Sequence, residues 1–194
     1  MKFQGVISAF DPNALMYEHH IPIPDNAYKT IRELAPDKRV KCIFDNGFVH
    51  YAAMLPSKNS YHYILLNKDI VKKMKWSLGD SVEVKIVKSD LKYGIPICEE
   101  LEAVLSADPE GSDFFHSLTM GAQRSLIHVI NKYKNPQLRL DRSIILLRHL
   151  CLRQGNLDFK ILNANFKEGI YIKPNSKKLQ KYIPPMIILS EERT

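Results

Sequence analysis

The sequence predicts an α+β protein: a small closed β-barrel with pseudo-two-fold symmetry, followed by a C-terminal α-helical domain. Three observations predict it. Residues 67–86 read as a capped short helix, a Gly79-Asp80 turn and an alternating strand, and residues 25–44 are a looser copy of that design. Beyond Pro96 the strand alternation gives way to helical spacing, with helix-opening residues at Asp108-Pro109, Thr119 and Asn135-Pro136. A strand–helix–strand half by itself exposes an apolar face and open strand edges, and pairing two halves into a barrel removes both.

The elements follow in order. Residues 3–10 are strand-like. Residues 17–23 form a second strand that runs into Pro22 and Pro24. Two alternate prolines strip N–H donors from one side of that strand, so that side belongs at an edge or a barrel lip. Asp25 is placed to cap a helix over 27–34, which Pro36 ends, and 40–44 is the next strand. Asn46-Gly47 tolerates positive φ at both central turn positions and predicts a hairpin into 48–54. Residues 61–66 then repeat the second strand and Asn67 repeats the cap. In this alignment Gly5 falls on Gly47, His20 on His62, Leu34 on Trp76, Val40 on Val82 and Cys42 on Val84. Val82, Val84 and Ile86 alternate with Glu83 and Lys85, as a strand with one wet face requires.

Tyr93-Gly94-Ile95-Pro96 breaks the pattern. A helix over 99–107 places Leu101, Val104 and Leu105 on one side, with Glu99, Glu100 and Glu102 in its first turn, where the helix dipole favours acids. Asp108-Pro109 opens the next helix and Thr119 a third, with Leu126, Ile127, Ile130 and Tyr133 at helical spacing. Asn135-Pro136 opens a fourth, ending at Gly155. That fourth helix is apolar on several faces: Leu140, Ile144, Leu147 and Cys151 form one stripe, widened by Ile145, Leu146, Leu150 and Leu152. It needs cover from the helix before it, the barrel, the tail or a second copy of the chain. The tail alternates weakly at Phe159, Ile161, Ile170 and Ile172 and carries an apolar run over 184–189. The expected organisation is a barrel over 1–92, a helical domain over 96–155 and a partly docked extension over 156–194.

The 194 residues are 45% hydrophobic, enough to bury a core, and carry a net charge of +7. Residues 88–121 hold 2 Lys/Arg against 7 Asp/Glu, whereas residues 122–194 hold 14 against 5. Cys42, Cys98 and Cys151 are odd in number and far apart, which argues against a disulfide framework and for a reducing, cytoplasmic setting. The N-terminus reads as a strand and not as a signal peptide, and no apolar run reaches the ~20 residues of a membrane span.

The barrel motifs Asn46-Gly47, Leu66-Asn67-Lys68 and 79–84 resemble a widespread bacterial domain of unknown function. Ile95-Pro96, Glu100-Leu101, Leu105, Asp108-Pro109, Phe114-Phe115 and Leu118, with Arg124, Ile130, Lys134, Arg139 and Arg142, resemble the YdeI/OmpD-associated helical domain, often labelled bacteriocin-protection. The two occur in tandem in that family, and the resemblance spans about residues 1–155. It implies the fold, is uninformative about reaction and offers no catalytic residues to carry over; the expected function is a non-enzymatic binding or interaction role. Gly121 near the start of a helix and the long tail depart from the pattern.

The residues offer little chemistry. There is no G-x-S-x-G elbow, no G-x-G-x-x-G and no P-loop, so no catalytic residue and no cofactor is assigned. His20, His50 and His62 are weak metal candidates: His20 and His62 occupy matched repeat positions near a pseudo-dyad, with His50 as a third. The binding reading rests on Arg124, His128 and Lys132, which share a helix face, and on Arg139 and Arg142, which share another. Convergence of the two faces would make an anion groove for an acidic protein or a phosphate-bearing ligand. The competing reading pairs these cations with the acids of 99–113. Two alternative functions are a small-molecule binder or enzyme at the barrel lip or barrel–helix cleft, and a nucleic-acid binder. A homodimer through the apolar fourth helix or the tail is a further expectation.

Overall fold

The computed structural model describes residues 1–10, 19–58 and 60–169. The chain divides into two compact units, Met1–Pro96 and Ile97–Thr194. The first contains β1 (Lys2–Val6), β2 (His19–Ile23), α1 (Asp25–Leu34), β3 (Arg39–Phe44), β4 (Val49–Pro56), β5 (His62–Leu66), α2 (Lys68–Met74) and β6 (Ser81–Lys88). Its strands are antiparallel in the order β1-β6-β3-β4-β5-β2. A bridge between Ser8 and His20 brings the two outer strands together into a nearly closed six-stranded barrel.

Strand alternation fills the interior. Ile21 and Ile23, Val40, Cys42 and Phe44, Ala52 and Met54, Ile64 and Leu66, and Val82, Val84 and Ile86 all point inward and are buried. Helix α1 adds Ala27 and Ile31, and α2 adds Val71. The Cys42 thiol is pushed up to about 12 by burial, so it behaves as a small apolar side chain.

The pseudo-dyad appears in the register. Gly5 pairs with Val82 as Ala52 pairs with Val40, and the Ser8–His20 bridge mirrors the Leu55–Tyr63 pair. The structure therefore equates Gly5 with Ala52 and not Gly47, and His20 with Tyr63 and not His62. Val40 with Val82 and Cys42 with Val84 stand as aligned. The sequence alignment slid because the two halves have connections of different length before their third strands, and no residue identity marked the insertion.

Other local expectations are corrected. Helix α1 begins at Asp25 with Pro24 as N-cap and no side-chain cap, so Asp25 supplies only a first-turn charge. Asn67 does cap α2, accepting the Ile70 N–H at 2.7 Å. The β3–β4 loop has positive φ at Gly47 but not at Asn46. Gly47 N–H bonds the Phe44 carbonyl and Phe44 N–H bonds the Phe48 carbonyl, both at 2.9 Å, which makes a three-residue loop with a glycine bulge.

The second unit contains α3 (Glu99–Ala107), α4 (Pro109–Ser117), α5 (Met120–Asn131), α6 (Pro136–Leu152) and α7 (Phe159–Glu168). Asp108, Thr119 and Asn135 cap α4, α5 and α6 through their side chains. Gly155, in the left-handed region, donates its N–H to the Leu150 carbonyl at 2.8 Å and closes the end of α6. The alternation read at Phe159 and Ile161 is a helix instead. Asp158 caps it, and Leu162 and Phe166, one turn apart, carry its buried side. Residues 170–194, including Ile170, Ile172 and the run over 184–189, lie outside the described residues. Among the described residues no helix is long and apolar enough to cross a membrane.

Two glycines of the helical unit make opposite predictions. A Cβ on Gly111 would lie 2.8 and 2.9 Å from the Cγ and Cβ of buried Leu147, whereas one on Gly121 would meet only the Thr119 hydroxyl, at 3.9 Å. Gly111→Ala is expected to destabilise by about 1–3 kcal/mol through overpacking, outweighing its helix-propensity gain. Gly121→Ala is expected to stabilise by about 0.5 kcal/mol. Urea denaturation of the two variants checks both signs.

Candidate functional site

The three histidines considered for metal do not converge. The alternation that sends Ile21 and Ile23 inward turns His20 to the outer face of the barrel. There it is only 2% exposed, its Nε2 lies 3.0 Å from the Tyr61 hydroxyl, and Phe10 stacks on it at 3.8 Å. Tyr63 meets both rings edge-on. Burial, and next the charge of His19, lowers the His20 pKa, which keeps the ring neutral. His50 faces the other way, with Ala52 and Met54, and its Nε2–H donates to the Leu65 carbonyl at 2.9 Å. That bond satisfies a carbonyl beyond the end of the β4–β5 ladder. His62 lies flat against Tyr28 of α1 at 3.4 Å. Among the described residues no group of His, Cys, Asp or Glu is placed to hold a metal ion.

The basic residues divide into two sets. Arg139 and Arg142 on α6 are engaged inside the helical unit. Arg139 grips Glu100 of α3 with two hydrogen bonds of 2.7 Å, and its third nitrogen donates to the Tyr133 carbonyl beyond the end of α5. One guanidinium thus joins α3, the α5–α6 turn and α6, the kind of planar fork that Lys cannot reproduce. Hydrogen bonding from Arg139 holds the Glu100 carboxyl down to about 2. The acid-to-base pairing weighed from the charge pattern exists here, at this pair. Arg142 lies between the rings of Tyr133, at 4.2 Å, and Phe166, at 4.8 Å, with its Nε buried and without a hydrogen-bond partner. Cation–π attraction holds it, so its contacts are those of a packing residue.

Arg124, His128 and Lys132 form the other set. Gln123, Leu126, Ile127 and Ile130 turn one side of α5 into the core. The stripe one helical turn apart on the other side carries Arg124, which is half-buried, and the exposed His128 and Lys132. The Lys132 ammonium sits over the Tyr133 ring at 5.1 Å. Tyr133 therefore carries a cation from α6 and one from the end of α5.

Two arrangements went unread in the sequence. One is the outer aromatic group of Phe10, His20, Tyr61 and Tyr63. The alternation of Tyr61 and Tyr63 was a signal for it, but which face they took depended on the barrel. The other is His149 of α6, 2% exposed, whose Nε2 accepts the Asp158 N–H at 3.3 Å. Only the capping residue Asp158 hinted at it.

A small antiparallel barrel followed by a helical unit whose charged joint is Glu100–Arg139 defines the class of architecture. Within it, residues 95–150 match the family model described as Bacteriocin-protection, YdeI or OmpD-Associated. The matched segment holds α3, α4, α5 and most of α6, including both residues of that joint. No curated protein matches the chain.

The pH dependence of the joint has a defined sign. Glu100 is depressed in the folded protein, so its contribution to stability is complete above its ordinary value of 4.5 and is lost as the pH falls from there through about 2. Arg139→Lys keeps the charge and loses the fork. It is expected to return the Glu100 titration toward 4.5 and to flatten the acid limb of the stability curve. Carboxyl-carbon NMR titration reads the shift, and an unmoved Glu100 would assign the depression to another group.

Proposed function

We propose that this chain is a non-enzymatic binding protein that takes an acidic partner along the outer stripe of α5, through Arg124, His128 and Lys132. The supporting observation is the division of the cations. Arg139 and Arg142 are tied into the helical unit, whereas the burial of Leu126, Ile127 and Ile130 holds the α5 stripe on the solvent side. Charges spaced one turn apart on a rigid, capped helix favour a partner with regularly spaced carboxylates or phosphates. The cytoplasmic setting expected from the cysteines suits such a partner.

The test uses two fluorescent probes, a poly-glutamate peptide and a single-stranded oligonucleotide, with Arg124→Glu/Lys132→Glu as the variant. The wild type is expected to bind poly-glutamate with an affinity that falls as salt rises, and the double reversal to weaken it at least about 10-fold. Binding that ignores the double reversal would sink the α5 assignment. An oligonucleotide bound far more tightly than the peptide would instead select the nucleic-acid reading.

A small-molecule reading has one observation of its own. His20 Nδ1 is buried without a hydrogen-bond partner beside Tyr61 and the exposed edge of Phe10. This second reading places a planar ligand on the outer face of β2 and β5.

A further inference from the structure

Helix α7, whose buried residues are Leu162 and Phe166, makes two specific contacts with α6. At its start, the Asp158 N–H donates to His149 Nε2. At its far end, Phe166 covers one face of the Arg142 guanidinium. The first contact has a strict protonation requirement. An imidazole nitrogen accepts a hydrogen bond only when it carries no proton, so His149 must be neutral with its proton on Nδ1.

We propose that α7 is a proton-released latch, closed by the His149–Asp158 hydrogen bond and opened when His149 Nε2 is protonated. Protonation would set two N–H groups against each other and place a cation in a site that is 2% exposed. The charged groups acting on His149 are Arg153, at the end of α6, and Asp158, at the start of α7. Arg153 opposes the imidazolium and Asp158 favours it. Asp158 is itself occupied in capping α7, accepting from the Lys160 and Ile161 N–H groups at 2.9 and 3.1 Å, so its carboxylate offers His149 little relief. Burial, with Arg153 adding, lowers the His149 pKa from 6.5 to about 4. The latch therefore holds fully above pH 6.5 and weakens as the pH falls from there toward 4. Opening it would also take Phe166 off Arg142 and uncover a cation on α6.

Native-state hydrogen exchange of the full chain tests the latch, with rates corrected for intrinsic exchange at each pH. The α7 amides are expected to lose protection on the order of 100-fold between pH 7 and pH 4, the fold-change that corresponds to the pKa fall. The α3 and α5 amides are expected to lose far less. His149→Gln can still accept the Asp158 N–H and cannot titrate in this range, so its α7 should keep its protection. Equal loss across all helices, or the same loss in α7 of His149→Gln, would overturn the proposal. A nitrogen-15 NMR titration of the wild type adds a reading that needs no variant, and a His149 pKa at or above 6 would also overturn it.

Discussion

A strand cannot leave its backbone donors and acceptors unpaired inside a barrel, and the first unit of this protein is arranged around a place where pairing runs out. That place is the seam between β1 and β2. Ser8 and His20 exchange two hydrogen bonds of 2.9 and 2.8 Å across it. Extending that register would set Val6 opposite Pro22 and Gln4 opposite Pro24, and neither proline has an N–H to give. The backbone of β1 turns to other devices there: the Ser8 hydroxyl donates to the Val6 carbonyl at 3.2 Å. Gly5 lets the strands approach, because a Cβ on it would collide with Ile21 Cγ2. The equivalent seam between β4 and β5 is longer, running from the Met54–Ile64 pair to the Pro56–His62 pair, and His50 finishes it by binding the Leu65 carbonyl. The two seams are alike in plan and differ in how each compensates for its missing ladder bonds.

The second unit solves a different problem. Its helices are short, and its longest, α6, is apolar over much of its circumference, so packing alone leaves the relative angle of neighbours loosely defined. The polar residues of α6 supply that definition. Ser143 is buried and bonds back to Arg139, Arg139 reaches α3 and the α5–α6 turn, Arg142 enters the stack with Phe166, and His149 meets the start of α7. Side chains that look available for chemistry in a linear reading are in this way the joints of the bundle. Arg124 and His128 of α5 and Lys132 at its end instead lie on the side of that helix turned away from the core.

Packing also commits four of the histidines to local contacts. His20 and His149 are almost wholly enclosed and depressed in pKa, and each already has one nitrogen engaged. His50 is spent on a carbonyl and His62 on a ring stack. Neutral imidazole can bridge a backbone group and a greasy surface, and this fold uses it so at His50, beyond the end of a ladder, and at His149, at the start of a helix.

Local rules made much of the architecture legible in the sequence. Asn67, Asp108, Thr119 and Asn135 cap where their side-chain chemistry places them, and Pro22 of β2 faces the seam its missing donor demands. Val82, Val84 and Ile86 point inward as their alternation requires. Each of these depends on residues within a turn or a strand of one another. The misreadings arose where distance along the chain stops reporting distance in space. Gly5 matched Gly47 by spacing, but the barrel register makes it the counterpart of Ala52. Arg139 and Arg142 shared a helix face by periodicity, but which faces met Glu100, Tyr133 and Phe166 was decided by the packing of α3, α6 and α7. The sequence by itself thus determined most of the elements, their caps and their apolar sides, α7 and the Asp25 cap excepted. Only the tertiary structure decided which polar groups are spent on holding those elements together, because a charge or an imidazole is committed by the neighbour it meets in space.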